Sequence, residues 1–160
     1  MKIKKMPFSI FYYIISALLY FLALPLLVYL TLKKKYKQSI PSRFFLFNNP
    51  RFNSENGIWF HVCSFGEAKA LAPLLKELQD KDVKVTTVTQ TGQTQVRKYG
   101  IDTRYLPYEI FLPFWAKKQK VLVVLEAEFW YMLFAVMYAK GTRIILLNAR
   151  ISEKSAKKYL

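Results

Sequence analysis

One cysteine, one histidine and few acidic residues mark this chain of 160 residues. Cys63 alone can form no internal disulfide, and with His61 as the single histidine it leaves no ligand cluster for a structural zinc site. A His-based metal site or proton relay is excluded on the same ground. A lone cysteine fits a reducing, intracellular setting. Acidic residues number 10 against 25 lysines and arginines, a net charge of +15. No Asp or Glu precedes Glu55, while residues 1–54 hold nine of the cations. Such an excess favours a polyanion, either nucleic acid or an anionic lipid surface.

The charged residues leave a gap. Residues 6–32, MPFSIFYYIISALLYFLALPLLVYLTL, are 27 residues without a charge. At helical rise they reach ~40 Å, more than the ~30 Å hydrocarbon core of a bilayer. A secretory signal is the rival reading, but its apolar region is usually ~7–15 residues and ends at small residues. Here Lys33-Lys34-Lys35 stand at that place. Residues 1–35 therefore read as a retained membrane anchor with basic flanks, and residues 36–57 as a basic, aromatic linker. Pro25 is placed to kink the anchor. Tyr12, Tyr13, Tyr20 and Tyr29 suit interfacial depths if the helix tilts. The lysines after the run put the C-terminal part in the cytoplasm by the positive-inside rule; a shallow monotopic insertion puts both ends there. Lysines directly after an apolar helix read as a grip on anionic headgroups. With no zinc-finger spacing and no RNA-binding aromatic motif, nucleic acid is not an expected partner.

From residue 58 onward short apolar runs alternate with helix-like stretches. Strands are expected at 58–63, 83–89, 103–106, 121–125 and 143–147. Helices are expected at 68–78, with Leu71, Leu74, Leu75 and Leu78 on one side, at 93–99, at 110–118 broken by Pro113, and at 129–139. The alternation predicts an α/β fold with a Rossmann-like parallel sheet over residues 58–160. Residues 121–139 are apolar enough for a second span, but Glu126 and Glu128 would lie near its middle, and a buried strand and helix explain the run more cheaply. In a doubly wound sheet the working residues sit at the carboxyl ends of the strands. Polar clusters fall there at Ser64–Glu67, Thr89–Gly92, Glu126–Glu128 and Asn148–Ser152.

Glu67 has two readings. Ser64-x-x-Glu67 fits a capping box, in which serine and glutamate satisfy the first turn of a helix reciprocally. Pro73, nine residues after the cap, interrupts that helix. If the helix starts at Pro73 instead, Ser64–Ala70 is an irregular segment beyond a strand end, a better place for a catalytic carboxylate, with Gly66 permitting a tight backbone. His61 and Cys63, alternating within a strand, read as structural.

The stretch IWFHVCSFGEAKALAPLLKEL resembles the strand–loop–helix signature of the 3-deoxy-D-manno-octulosonic acid (Kdo) transferases, glycosyltransferase family 30. TQTG at 89–92, RYLPYE at 104–109, LEAEFW at 125–130 and LLNARISEKSAKKY at 146–159 are similar to further family stretches, in the family's order. The resemblance implies the N-terminal half of a GT-B transferase. Such enzymes move Kdo from CMP-Kdo to a lipid A precursor at the cytoplasmic face of the inner membrane, in lipopolysaccharide biosynthesis, without a metal or other cofactor. By the same resemblance Glu67 is the general base. Ser64, Gly66, Glu126, Glu128, Arg150 and Ser152 are acceptor-site or supporting residues, with Arg150 equally suited to a salt bridge that fixes its loop. Phe44, Phe45, Phe47, Phe52 and Trp59, with the basic collar, suit a phosphorylated glycolipid drawn from the bilayer. Tyr131 stands where the family has proline, and Phe65 where it has a smaller residue. The donor-binding C-terminal half is not in the 160 residues, so the chain is expected to be inactive alone. A membrane-tethered, non-catalytic α/β module that binds lipid or a partner is the alternative. A GT-B transferase for another donor, such as a UDP-sugar, is a third.

Overall fold

Strand β1 (Ile58–Val62) shows how the sequence builds two cores at once. Successive side chains point to opposite faces of a strand. Trp59 joins one buried cluster with Leu122, Val124, Leu106, Trp115 and the apolar face of a late helix. Phe60 and Val62 join the other with Val123, Leu125, Val83 and Val85. A strand buried on both faces needs the continuous apolar run that β1 and β4 (Val121–Leu125) carry.

The fold comes from a computed structural model that describes residues 8–126 and 130–148. After α1 (Ile10–Thr31) and the short α2 (Ser39–Phe44), the strands β1, β2 (Val83–Thr87), β3 (Asp102–Tyr105), β4 and β5 (Arg143–Leu147) form one sheet. Its order is β3-β2-β1-β4-β5, and every neighbouring pair is parallel. Helices α3 (Phe65–Glu77) and α4 (Gln90–Arg97) contribute to the core of Phe60 and Val62. Helices α5 (Leu112–Trp115) and α6 (Tyr131–Ala139) contribute to the core of Trp59. This is the Rossmann-like α/β arrangement expected from the alternation. Val121–Leu125 and Tyr131–Ala139, in the run apolar enough for a second span, are an interior strand and a buried helix.

Several boundaries differ from the sequence reading. Helix α3 starts at Phe65, runs through Pro73 and leaves no irregular segment between Ser64 and Ala70. Pro73 has no N–H to give to Lys69, but both residues are exposed, so water can serve the freed carbonyl. Helix α4 begins at Gln90, three residues before the expected start at 93. The Thr89 hydroxyl caps it by accepting from the Gly92 N–H at 3.2 Å. Pro113 lies at the start of α5, after a 3₁₀ turn at Glu109–Phe111.

Within residues 36–57, Phe52 is buried against Trp59 and Trp115. Asn49 ties this segment to the β3 edge. Its amide donates to Ser42 O and Tyr105 O, and its Oδ1 accepts from Tyr105 N–H.

Helix α1 is long and apolar enough to cross a membrane, and it runs unbroken through Pro25. One of its faces is docked. Tyr12 donates to the Glu109 carboxylate, Tyr13 to Ile110 O at 3.0 Å and Tyr20 to Phe44 O at 2.7 Å. The Tyr20 ring also stacks on Tyr108. Three of the four tyrosines expected at headgroup depth thus spend their hydroxyls on the globular part. Tyr29 is the exception, half exposed beneath the Lys33 ammonium. The opposite face of α1 is an exposed apolar stripe that includes Phe11, Leu18, Phe21, Leu22 and Leu26.

Candidate active site

Strand order reverses between β1 and β4. In doubly wound sheets the crevice beyond the carboxyl ends at that reversal is where ligands bind. The last registered pair across it is His61 with Val124. Two residues further on come Cys63 on one side and Glu126 on the other.

The chain leaves β1 through Cys63 and enters α3 at the Ser64 cap. Ser64 has extended backbone, and its Oγ accepts from the Glu67 N–H at 3.2 Å. The same hydroxyl donates to Glu67 Oε1 at 2.6 Å, and the Cys63 N–H donates to Oε2 at 2.8 Å. This is a capping box whose glutamate reaches one residue beyond the cap. Both carboxylate oxygens are engaged, and Glu67 is only 6% exposed. A group held at both oxygens has one orientation, which a positioned acid or base requires.

Close packing around this turn falls on Gly92, not on Gly66. A Cβ on Gly92 would lie 3.0 Å from Thr89 Oγ1 and 3.3 Å from Ser64 O. A Cβ on Gly66 would meet only Ser64 Oγ, at 3.8 Å. Gly66 lies within α3 with ordinary helical backbone, so the tight backbone expected of it is not there. The Thr89 hydroxyl, donating to Cys63 O at 3.0 Å, locks the first turn of α4 to that of α3.

Glu126 follows β4 directly. Its N–H donates to Leu147 O at 2.8 Å, and its φ is +60°. A left-handed non-glycine residue is uncommon, and such strain concentrates at functional sites. The site residues expected at Glu128, Arg150 and Ser152 lie outside the described residues.

Other residues reach this end of the sheet without a signal in the sequence. Arg43, at the end of α2, donates from Nε to Leu106 O, and its guanidinium sits 5.6 Å over the Trp130 ring. Glu109 is buried, and its Oε1 accepts from Met132 N–H in the first turn of α6. It lies in the RYLPYE stretch, which was the one available clue. Thr87 Oγ1, Gln90 Oε1 and Trp130 Nε1 are buried with no hydrogen-bond partner among the described residues. Orphans of this kind are rare inside proteins and call for an explanation; a bound ligand is one.

His61 behaves as structure. It is fully buried, with Nδ1 2.9 Å from Thr86 Oγ1 and Nε2 3.4 Å from Cys63 Sγ. Burial first, and the nearby Arg43 second, push its pKa down to about 3, against a weaker opposing effect of the Thr86 hydrogen bond. It is neutral at physiological pH. Among the described residues no three His, Cys, Asp or Glu side chains gather to hold a metal.

Comparison with known proteins bears on the family of the chain. A family model described as 3-deoxy-D-manno-octulosonic-acid transferase (kdotransferase) matches residues 38–160. The 3-deoxy-D-manno-octulosonic acid transferase of Haemophilus influenzae is 30% identical over 138 residues, 78% of this chain and 32% of that protein. The enzyme of the same name from Chlamydia pneumoniae is 29% identical over 166 residues, covering 95% of this chain and 38% of its own length. A bifunctional glycosyltransferase/methyltransferase of Fusobacterium nucleatum is 32% identical over 119 residues, 66% of this chain and 18% of its own. The chain thus spans about a third of the two transferases. With the family model covering more than three quarters of its residues, the chain belongs to the 3-deoxy-D-manno-octulosonic acid transferase family.

Proposed function

We propose that this domain binds the acceptor of a Kdo transferase that moves Kdo from CMP-Kdo to a lipid A precursor, with Glu67 as general base. The observation that carries this is the carboxylate itself, fixed at both oxygens at the carboxyl end of the central strand, beside the reversal of strand order. As the acceptor hydroxyl attacks the anomeric carbon of Kdo, its proton passes to Glu67. The bond from that carbon to the CMP oxygen breaks, and CMP leaves as a stable anion. One displacement inverts the centre. The reading calls on no metal, no cofactor and no protein acid.

Supporting roles follow from position. Ser64 holds Glu67, Gly66 leaves bare backbone beside it, and Glu126 follows β4 at the same end of the sheet. Arg43 and Trp130 line the approach. Lys34 and Lys35, just after α1, border an open pocket with Phe65, Gln90 and Thr91. That places two cations beside the first turn of α3, where acceptor phosphates suit them. CMP-Kdo is assigned mainly to a donor domain. Because the chain covers about a third of its named relatives, transfer is proposed for the protein in which this domain meets a donor half, and not for the 160 residues alone.

The place proposed is the cytoplasmic face of the inner membrane, with α1 lying along the bilayer surface. Its docked face runs from Tyr12 to Leu27. An upright α1 would carry the buried Glu109 and the polar groups of α2 into hydrocarbon, where unsatisfied polar groups are costly. Lying flat, it buries the exposed stripe in one leaflet and keeps the lysine collar among anionic headgroups.

The test is Kdo transfer by the two-domain protein in lipid nanodiscs, with Glu67→Gln beside it. The expected result is a loss in kcat of at least ~100-fold with acceptor binding retained. Transfer within about threefold of the parent, with only a lower melting temperature, would leave Glu67 as a helix cap. That outcome favours the second reading, a membrane-tethered binding module, in which Glu67 serves only the cap.

A further inference from the structure

Helix α5 leaves one large apolar side chain uncovered. Leu112 and Trp115 are buried in the core, while Phe114 is 75% exposed. A lone exposed apolar residue is ordinary, so the neighbours of Phe114 decide its meaning. Phe111, three residues earlier and on the same face, sets its ring edge-on to Tyr20 of α1, with centroids 5.5 Å apart. Tyr20 in turn meets the ring of Phe21 at 5.6 Å. Phe21 belongs to the exposed stripe of α1. A line of rings thus runs from that stripe to α5, and Phe114 is its free end.

Charge and direction indicate what Phe114 meets. Between Thr103 and Lys120 the one acidic residue is Glu109, which is buried. Lys117 and Lys118 follow α5 directly; Lys118 is exposed, and Lys117 donates to Asn53 O at 2.9 Å. Exposed apolar rings with lysines at their edge suit the headgroup region of an anionic leaflet. The direction agrees. Through α5 the chain passes from the carboxyl end of β3 to the amino end of β4, away from the crevice across which a donor half is assigned.

We propose that Phe114 is a second point of entry into an anionic bilayer, beside the α1 stripe, with Lys118 among the headgroups. The proposal rests on the reading of α1 as lying along the bilayer surface, and it adds what α1 alone lacks. A helix lying in a surface defines a line, about which the domain can still roll. A side chain inserted off that line fixes the roll, and with it the tilt of the Glu67 crevice against the membrane.

The experiment reads depth in the full chain on vesicles of phosphatidylcholine and phosphatidylglycerol. Phe114→Cys, Phe21→Cys on α1 and Lys76→Cys on α3, across the sheet, are each labelled with bimane. All three positions are exposed, so the fold should tolerate the changes. The parent, whose one cysteine is the buried Cys63, is the labelling blank. A fraction of the lipid carries a nitroxide quencher, either near the headgroup or near the chain end. The expected result is quenching at Phe114 at least about threefold above that at Lys76, and stronger from the headgroup-side nitroxide, as for a group at the headgroup–acyl boundary. Quenching at Phe114 no greater than at Lys76 overturns the proposal. If Phe21 is then quenched best from the headgroup side, α1 still lies flat and only the second contact falls. If Phe21 is quenched best from the chain end, α1 stands upright and the surface reading falls with it. A Phe114 label shielded from aqueous iodide but untouched by either nitroxide also overturns the proposal, because a protein surface then covers it.

Discussion

Acid should destabilise this domain through one residue, His61. Its imidazole is fully buried and has a pKa of about 3, against 6.5 for a free histidine. A folded-state pKa below the unfolded one means that the unfolded chain binds the proton first. Stability is then fully present above pH 6.5 and falls as pH drops from there toward 3. Each unit of pKa difference is worth about 1.4 kcal/mol, so the loss between pH 7 and pH 4.5 comes to about 2.5 kcal/mol. For a chain of this size that is roughly 5–10 °C in melting temperature. Other groups titrate in the same range. Burial pushes the Asp82 carboxyl up, but hydrogen bonds from Lys84 and Ser54 outweigh it and hold it below the usual range. The comparison therefore needs a non-titrating partner. His61→Gln keeps a polar group beside Thr86 and carries no proton at either pH. Denaturant unfolding of both proteins at pH 7 and pH 4.5 gives four stabilities. The variant is expected to be less stable at pH 7 and to lose about 2.5 kcal/mol less on acidification. Parallel losses in the two proteins would refute the reasoning, because His61 would then be gaining its proton in the folded state.

The Glu67 turn supplies two further expectations. Ser64→Ala removes the hydroxyl that serves both the N–H and the carboxylate of Glu67, and thermal melts should show a loss of about 1 kcal/mol. Gly92→Ala should destabilise by more than about 1 kcal/mol, since its Cβ presses on Ser64 O and Thr89 Oγ1, whereas Gly66→Ala meets nothing closer than 3.8 Å and should leave the melting temperature equal or higher. Tyr12→Phe with Tyr20→Phe frees α1 from Glu109 and Phe44 O; protease accessibility of the segment after α1 in nanodiscs should rise. An unchanged digestion pattern would mean that those hydroxyls do not hold the helix.

How far the sequence could be read depends on whether the deciding contact is local. The β1 and β4 runs announce a sheet buried on both faces because alternation and apolar length are properties of the segment itself. The Ser64–Glu67 pair announces its cap for the same reason. Pro73 misleads because its cost depends on exposure, which the segment does not display. The start of α4 is hidden because Thr89 and Gly92 read equally as turn residues. Tertiary placement is hidden more completely. Tyr12 and Tyr20 on an apolar helix look like a headgroup belt until Glu109 and Phe44 are seen beneath them. Arg43 is one cation among many in a basic segment, and only the packing of α2 carries it to Trp130 and toward His61.

The cap and the proposed chemistry do not compete for Glu67. Each carboxylate oxygen offers two lone pairs, and the fold uses one on each, from the Cys63 N–H and the Ser64 hydroxyl. The remaining pairs can accept an incoming hydroxyl without breaking the turn. What the cap removes is rotational freedom, since a free glutamate must lose side-chain entropy before it can act. That cost is met when the domain folds, and Gly92 secures it by bringing α4 against the back of the same turn. On the proposed reading the capping box is the device that aims the carboxylate. A substitution that spares Glu67 but loosens the box should cost rate as well as stability.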